Sequence, residues 1–141
     1  MIKFVAGLKG QGKTRLLIDT ANEHAKTAKG SLVFIDGDNS RIHDLHRDVR
    51  LVVAGKSELS NYREFIGFIR GILSQNSDIE CIYVDAITNI IKTIDNEALV
   101  KLVAKLEGIS KEDDVNFTIS IHVEPDSLPT EIKDMVEKTG K

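Results

Sequence analysis

The chain has no tryptophan, one cysteine, two prolines and an aromatic content of only 5%. A lone cysteine, Cys81, excludes an internal disulfide and any zinc site built on several thiolates. Beside Ile82 in an apolar stretch, it reads as a small core residue rather than a reactive thiol. No apolar run approaches the roughly 20 residues that a bilayer-spanning helix needs. The start of the chain, one lysine among a few apolar residues and then glycines, is not a signal peptide, so the expected location is cytoplasmic. Charge of one sign is also lacking: 19 Lys and Arg face 22 Asp and Glu, net −3, which gives no general attraction to nucleic acid or acidic membrane. Repeats and low-complexity tracts are absent, and 141 residues with 41% hydrophobic content suit a single domain over residues 1–141.

Glycine is where the chain becomes specific. Residues 7–14 read Gly7, Leu8, Lys9, Gly10, Gln11, Gly12, Lys13, Thr14, which fits G-x-x-x-x-G-K-[ST] without a gap. Ile2, Phe4 and Val5 before it have strand character, and residues 15–28 after it carry Leu and Ala at helical spacing up to Gly30. Strand, loop and helix in that order are the context the pattern requires. The glycines let the backbone curl and turn N–H groups inward at a helix N-terminus, where the helix dipole also favours an anion.

This stretch resembles the P-loop NTPase superfamily. The resemblance implies a three-layer α/β fold, a mostly parallel sheet of about five strands with helices on both faces. It further implies ATP with Mg²⁺, with residues 7 to 14 and Arg15 around the phosphates, Lys13 reaching the β- and γ-phosphates and the Thr14 hydroxyl on the metal. Lys9 is similar to the extra lysine of the deviant P-loops of cell-division and arsenite-pump ATPases, but there it follows the first glycine directly and here Leu8 intervenes.

Two strand patterns end in aspartate, Ser31–Asp36 and Ile79–Asp85. An apolar strand closed by a carboxylate is similar to the superfamily's Walker B, whose aspartate holds magnesium. The choice falls on Asp85, which follows a helix-containing crossover and leads into another helical pattern, so Lys13 and Asp85 are the expected catalytic pair and Thr14 and Asp85 the metal ligands. Between the two patterns, residues 37–50 are polar and face the ligand rim of an open α/β sheet, so Asp36, Asp38 and Arg41 are candidates for touching a second substrate, against a plain solvated loop. His43 and His46 are three apart, as metal ligands can be, with no third ligand at telling spacing.

Residues 51–54 predict a short strand, and Ser57 or Ser60 a cap for a helix through Gln75. Gly67 and Gly71 on that helix call for close packing against the sheet, and Arg63 and Arg70 share its polar face. Ile87, Ile90, Ile91 and Ile94 repeat at i, i+3, i+4 and i+7, and Leu99, Leu102, Val103 and Leu106 do the same, predicting one long or two abutting helices. The isoleucine stripe is either core or a surface for a protein partner or a second copy. Residues 115–123 form a last strand with Thr118, Ser120 and His122 alternating against apolar neighbours; a closing helix carries Ile132, Met135 and Val136. In the RecA-like branch a polar residue at the end of such a strand senses the γ-phosphate, a place for His122 or Ser120, and the strand itself lies between the first strand and the Walker B strand.

No guanine-specific Asn-Lys-x-Asp and no transporter signature is present. The chain is expected to be an ATP-binding protein, near the RecA-like or thymidine-kinase-like branches, with slow or partner-stimulated hydrolysis, because Ala86 stands where many relatives place the catalytic glutamate and Glu124 is the substitute at hand. The alternatives are a small nucleoside or nucleotide phosphotransferase and a regulatory module that only binds ATP.

Overall fold

The computed structural model describes residues 1–8, 10, 12–55 and 59–138. Apolar runs too continuous for a half-wet strand build a parallel sheet covered on both faces at its centre and more exposed at its edge strand, Val49–Val53. Strands β1 (Ile2–Ala6), β2 (Ser31–Asp36), β3 (Val49–Val53), β4 (Ile79–Asp85), β5 (Asn116–Ile121) and β6 (Val136–Lys138) line up in the order β3-β2-β4-β5-β1-β6, all parallel. As expected from sequence, β5 lies between β1 and β4. The sixth strand was not expected.

Alternation along each strand sends side chains to two layers. Helix α1 (Lys13–Ala25) puts Leu17, Ile18 and Ala21 against Val5, Leu32, Phe34, Cys81 and Tyr83. On the other face, α2 (Tyr62–Gln75), α3 (Ile87–Ile90), α4 (Asn96–Asp113) and α5 (Thr130–Lys133) cover Phe4, Val33, Ile35, Ile82, Val84, Phe117 and Ile119. Four phenylalanines, Phe4, Phe34, Phe65 and Phe117, are fully buried; truncating any one to alanine costs about 3–5 kcal/mol. Cys81 is buried too, and burial pushes its thiol up to about 11, so it is a core residue.

Several sequence expectations change. Helix α2 is capped by Asn61, whose side chain accepts from the Glu64 N–H at 3.0 Å while the Glu64 carboxylate accepts from the Ser60 N–H at 2.6 Å. That pair differs from a capping box in one respect, since the carboxylate takes the N–H of the residue before the cap rather than the cap's own. Ser60 is therefore the residue before the cap, and Ser57 lies outside the described residues. A Cβ added at Gly67 or Gly71 meets nothing within 4 Å, so close packing does not explain those glycines. The isoleucine stripe makes only one helical turn. Ile87, Ile90 and Ile91 are buried in the core, and Ile91 bridges Leu59, so the stripe is not a surface open to a partner. Finally, the closing helix is cut to Thr130–Lys133: Ile132 is buried on it, whereas Val136 pairs with Phe4 as a strand.

Candidate functional site

The carboxyl ends of β1, β2, β4 and β5 meet the N-terminus of α1. Gly10 and Gly12 take φ of 87° and 86°, a backbone region that L side chains rarely adopt, and Gly12 caps α1. The turn thereby presents backbone N–H groups where the helix dipole is positive, and such a loop can hold an anion. A cavity of about 470 Å³ opens there, lined by Gly10, Gly12, Lys13, Thr14, Arg15 and Ile18 from the loop and helix. Arg41, Asn89 and His122 line it as well. Lys9 and Gln11 lie outside the described residues; Gly7 donates its N–H to Ile121 O at 3.3 Å, and Leu8 is exposed.

Lys13 is only 2% exposed, and its Nζ donates to Leu8 O at 2.8 Å. Burial lowers its pKa, with the negative charge of Asp85 opposing that effect. A lysine this enclosed, holding one hydrogen bond among the described residues, retains donors for a further acceptor. Parity places Asp36 and Asp85 on the same layer of the sheet as α1, with residues 32 and 34 or 81 and 83 two and four positions before them. The two aspartates are direct neighbours across β2 and β4. Asp85 is 7% exposed and accepts a hydrogen bond from Ser120 Oγ at 2.8 Å.

Asp36 is half-buried, and the Gly37 N–H donates to its Oδ1 at 2.6 Å. Burial pushes its pKa up to about 6, against the lowering effect of the Gly37 N–H; the charges of Asp85 and Asp38 push the same way as burial. A carboxylate poised there can take up a proton at near-neutral pH. The strand-end pattern flagged Asp36 as a rim residue; its pairing with Asp85 and its raised pKa were not visible in the sequence, because both depend on strand order.

Ser120 and His122, the two candidates for one position, stand in different surroundings. Ser120 is buried and fixes Asp85, while His122 lines the cavity and its Nε2 lies 3.3 Å from the Asn89 amide. Asn89 drew no attention in the sequence, since the isoleucine periodicity around it read as core. Glu124 is exposed, outside the cavity lining, and its carbonyl accepts from Ser127. His46 Nδ1 accepts from the Asp48 N–H at 3.0 Å. Among the described residues no group of three or more His, Cys, Asp and Glu is placed to hold a metal. Among them also no helix is long and apolar enough to cross a membrane. No protein-family model matches the chain, and no curated protein matches it.

Proposed function

We propose that the chain is a P-loop NTPase that binds ATP with Mg²⁺ and hydrolyses it slowly or under stimulation by a partner. The observation that carries this reading is a lysine almost wholly buried at the end of a glycine loop, lining a cavity and close enough to Asp85 to feel its negative charge. An enclosed ammonium is otherwise costly, and a polyphosphate supplies the missing acceptors. In this reading the loop N–H groups and Lys13 hold the phosphates, and Thr14 and Asp85 hold the metal, which neutralises charge on the transferring group. Ser120 keeps Asp85 in place. Asp36 accepts the proton of the attacking water as its oxygen bonds to the γ-phosphorus and the bond to the leaving nucleoside diphosphate breaks. Asp36 thus replaces Glu124 as the expected base.

Calorimetric titration with Mg·ATP tests the assignment: the parent binds, and Lys13→Ala binds far more weakly while keeping its fold. Equal affinity in both sinks it. Single-turnover hydrolysis then separates an ATPase from a module that only binds. A small phosphotransferase is the second reading, favoured by Arg41, which faces the same cavity from the segment after β2. Transfer to a nucleoside or nucleotide acceptor in preference to water would decide for it.

A further inference from the structure

On the layer opposite α1, helices α2 and α4 run side by side and leave a groove of about 490 Å³ that continues into a hollow of about 180 Å³. Tyr62 and Ile66, both half-buried against the core, give it an apolar floor. Arg63 and Arg70 stand on the α2 side, Lys101 and Lys105 on the α4 side. Four cations line one groove of a chain whose net charge is −3. Two carboxylates touch them, Glu112 at 3.7 Å from Arg70 and Glu97 at 4.0 Å from Lys101, in exposed pairs of the weak kind. Arg63 lies over the Tyr62 ring at 5.6 Å, and Lys105 has no ion pair among the described residues. The Glu64 carboxylate is engaged by the Ser60 N–H.

We propose that this groove docks an amphipathic helix from a partner protein, its apolar stripe on Tyr62 and Ile66 and its acidic flanks against Arg63, Arg70, Lys101 and Lys105. A third helix laid between two neighbours packs ridge into groove, and the basic margins select for carboxylates. The apolar floor favours a polypeptide, whose side chains can cover Tyr62 and Ile66, over a polyanion such as nucleic acid. A second copy of this chain is disfavoured, because the apolar stripes of its own α2 and α4 already face the core. The site stands apart from the glycine loop and does not depend on the nucleotide reading.

The test uses isotope-labelled protein and a synthetic helical peptide with leucines at i, i+3, i+4 and i+7 flanked by glutamates, beside a sister peptide with lysines in place of the glutamates. The acidic peptide shifts the amide signals of residues 62–70 and 101–105, the lysine peptide does not, and the double variant Arg63→Glu, Lys105→Glu weakens binding roughly tenfold or more while keeping its helical signal. Should that variant fold poorly, Arg63→Gln with Lys105→Gln serves, with a smaller loss. Equal shifts by both peptides, shifts confined to other residues, or no shifts overturn the proposal. So does a single-stranded oligonucleotide that displaces the acidic peptide from these residues, or self-association that the charge reversal abolishes.

Discussion

At the amino ends of the strands, His24 sits between the Tyr83 hydroxyl at 2.7 Å and the Glu80 carboxylate at 2.6 Å. The other oxygen of Glu80 accepts from the N–H groups of Gly30 and Lys29, and these bonds, Gly30's first, together with His24 hold the carboxyl below its usual range. Every group there is answered by another group of the chain. At the carboxyl ends the same sheet carries a buried lysine, two neighbouring aspartates and one of them raised to about 6. Both ends bury polar atoms, but only the second leaves charge unsettled. Unsettled charge lowers stability, and it makes that end the candidate functional site.

Four substitutions break or sharpen that contrast. The largest effect on binding or stability is expected from Lys13→Ala, which removes a charge-assisted contact of about 3 kcal/mol and so weakens Mg·ATP about 100-fold, while the melting temperature holds or rises. Calorimetry and thermal unfolding on the same sample check both halves. Next comes Gly30→Ala at the opposite end. Its Cβ would collide with the Asp78 backbone oxygen and crowd Glu80, costing about 2–3 kcal/mol in urea unfolding with ATP affinity unchanged.

Asp36→Asn is the third. With a folded pKa of about 6 against 3.8 for the free group, Asp36 binds its proton more tightly in the folded state. Stability therefore falls as pH rises from 3.8 through about 6, and is lowest above that range. The full shift corresponds to about 3 kcal/mol, and solvent screening of a half-exposed group reduces it to about 1–2 kcal/mol. Asparagine should stabilise the protein by that amount at pH 7.5, give no gain near pH 4, and slow single-turnover hydrolysis by about 10²- to 10⁴-fold. A stabilised variant with parental turnover would free Asp36 of the proton role. Smallest is Gly67→Ala on the exposed side of α2, where open space predicts a gain of up to about 1 kcal/mol in the same unfolding assay.

What the sequence made legible was whatever repeats locally. The glycine loop, α1 and the apolar runs of β1, β2, β4 and β5 each carry their own signal, and the Asp85 strand was placed correctly in the sheet. Where a segment's state depends on distant partners, the local pattern misled. Residues 87–94 have helical spacing, yet β-branched isoleucine and threonine favour extended backbone, and burial on several sides plus the Leu59 bridge stop the helix after one turn. Met135 and Val136 continue the spacing of Ile132, but Phe4 needed a covered edge, and Met135 O accepts its N–H at 2.8 Å. The site was half legible for the same reason. Lys13 and Thr14 come from one contiguous pattern, whereas Asp36, Asn89, Ser120 and Asp85 are brought together only by the order of strands.

That order also fixes when the glycine loop can form. Strand β1 has β5 and β6 as its only described partners, pairing Ile2 with Phe117 and Phe4 with Val136. A ribosome adding ~5–20 residues per second exposes Ile2–Ala6 on the order of ten seconds before β5 emerges. Through that interval the nascent chain carries an apolar segment with two unsatisfied edges, and the loop it anchors has no floor. The floor under the glycine loop is thus completed only after β5 has been made, although the loop itself precedes it by about a hundred residues.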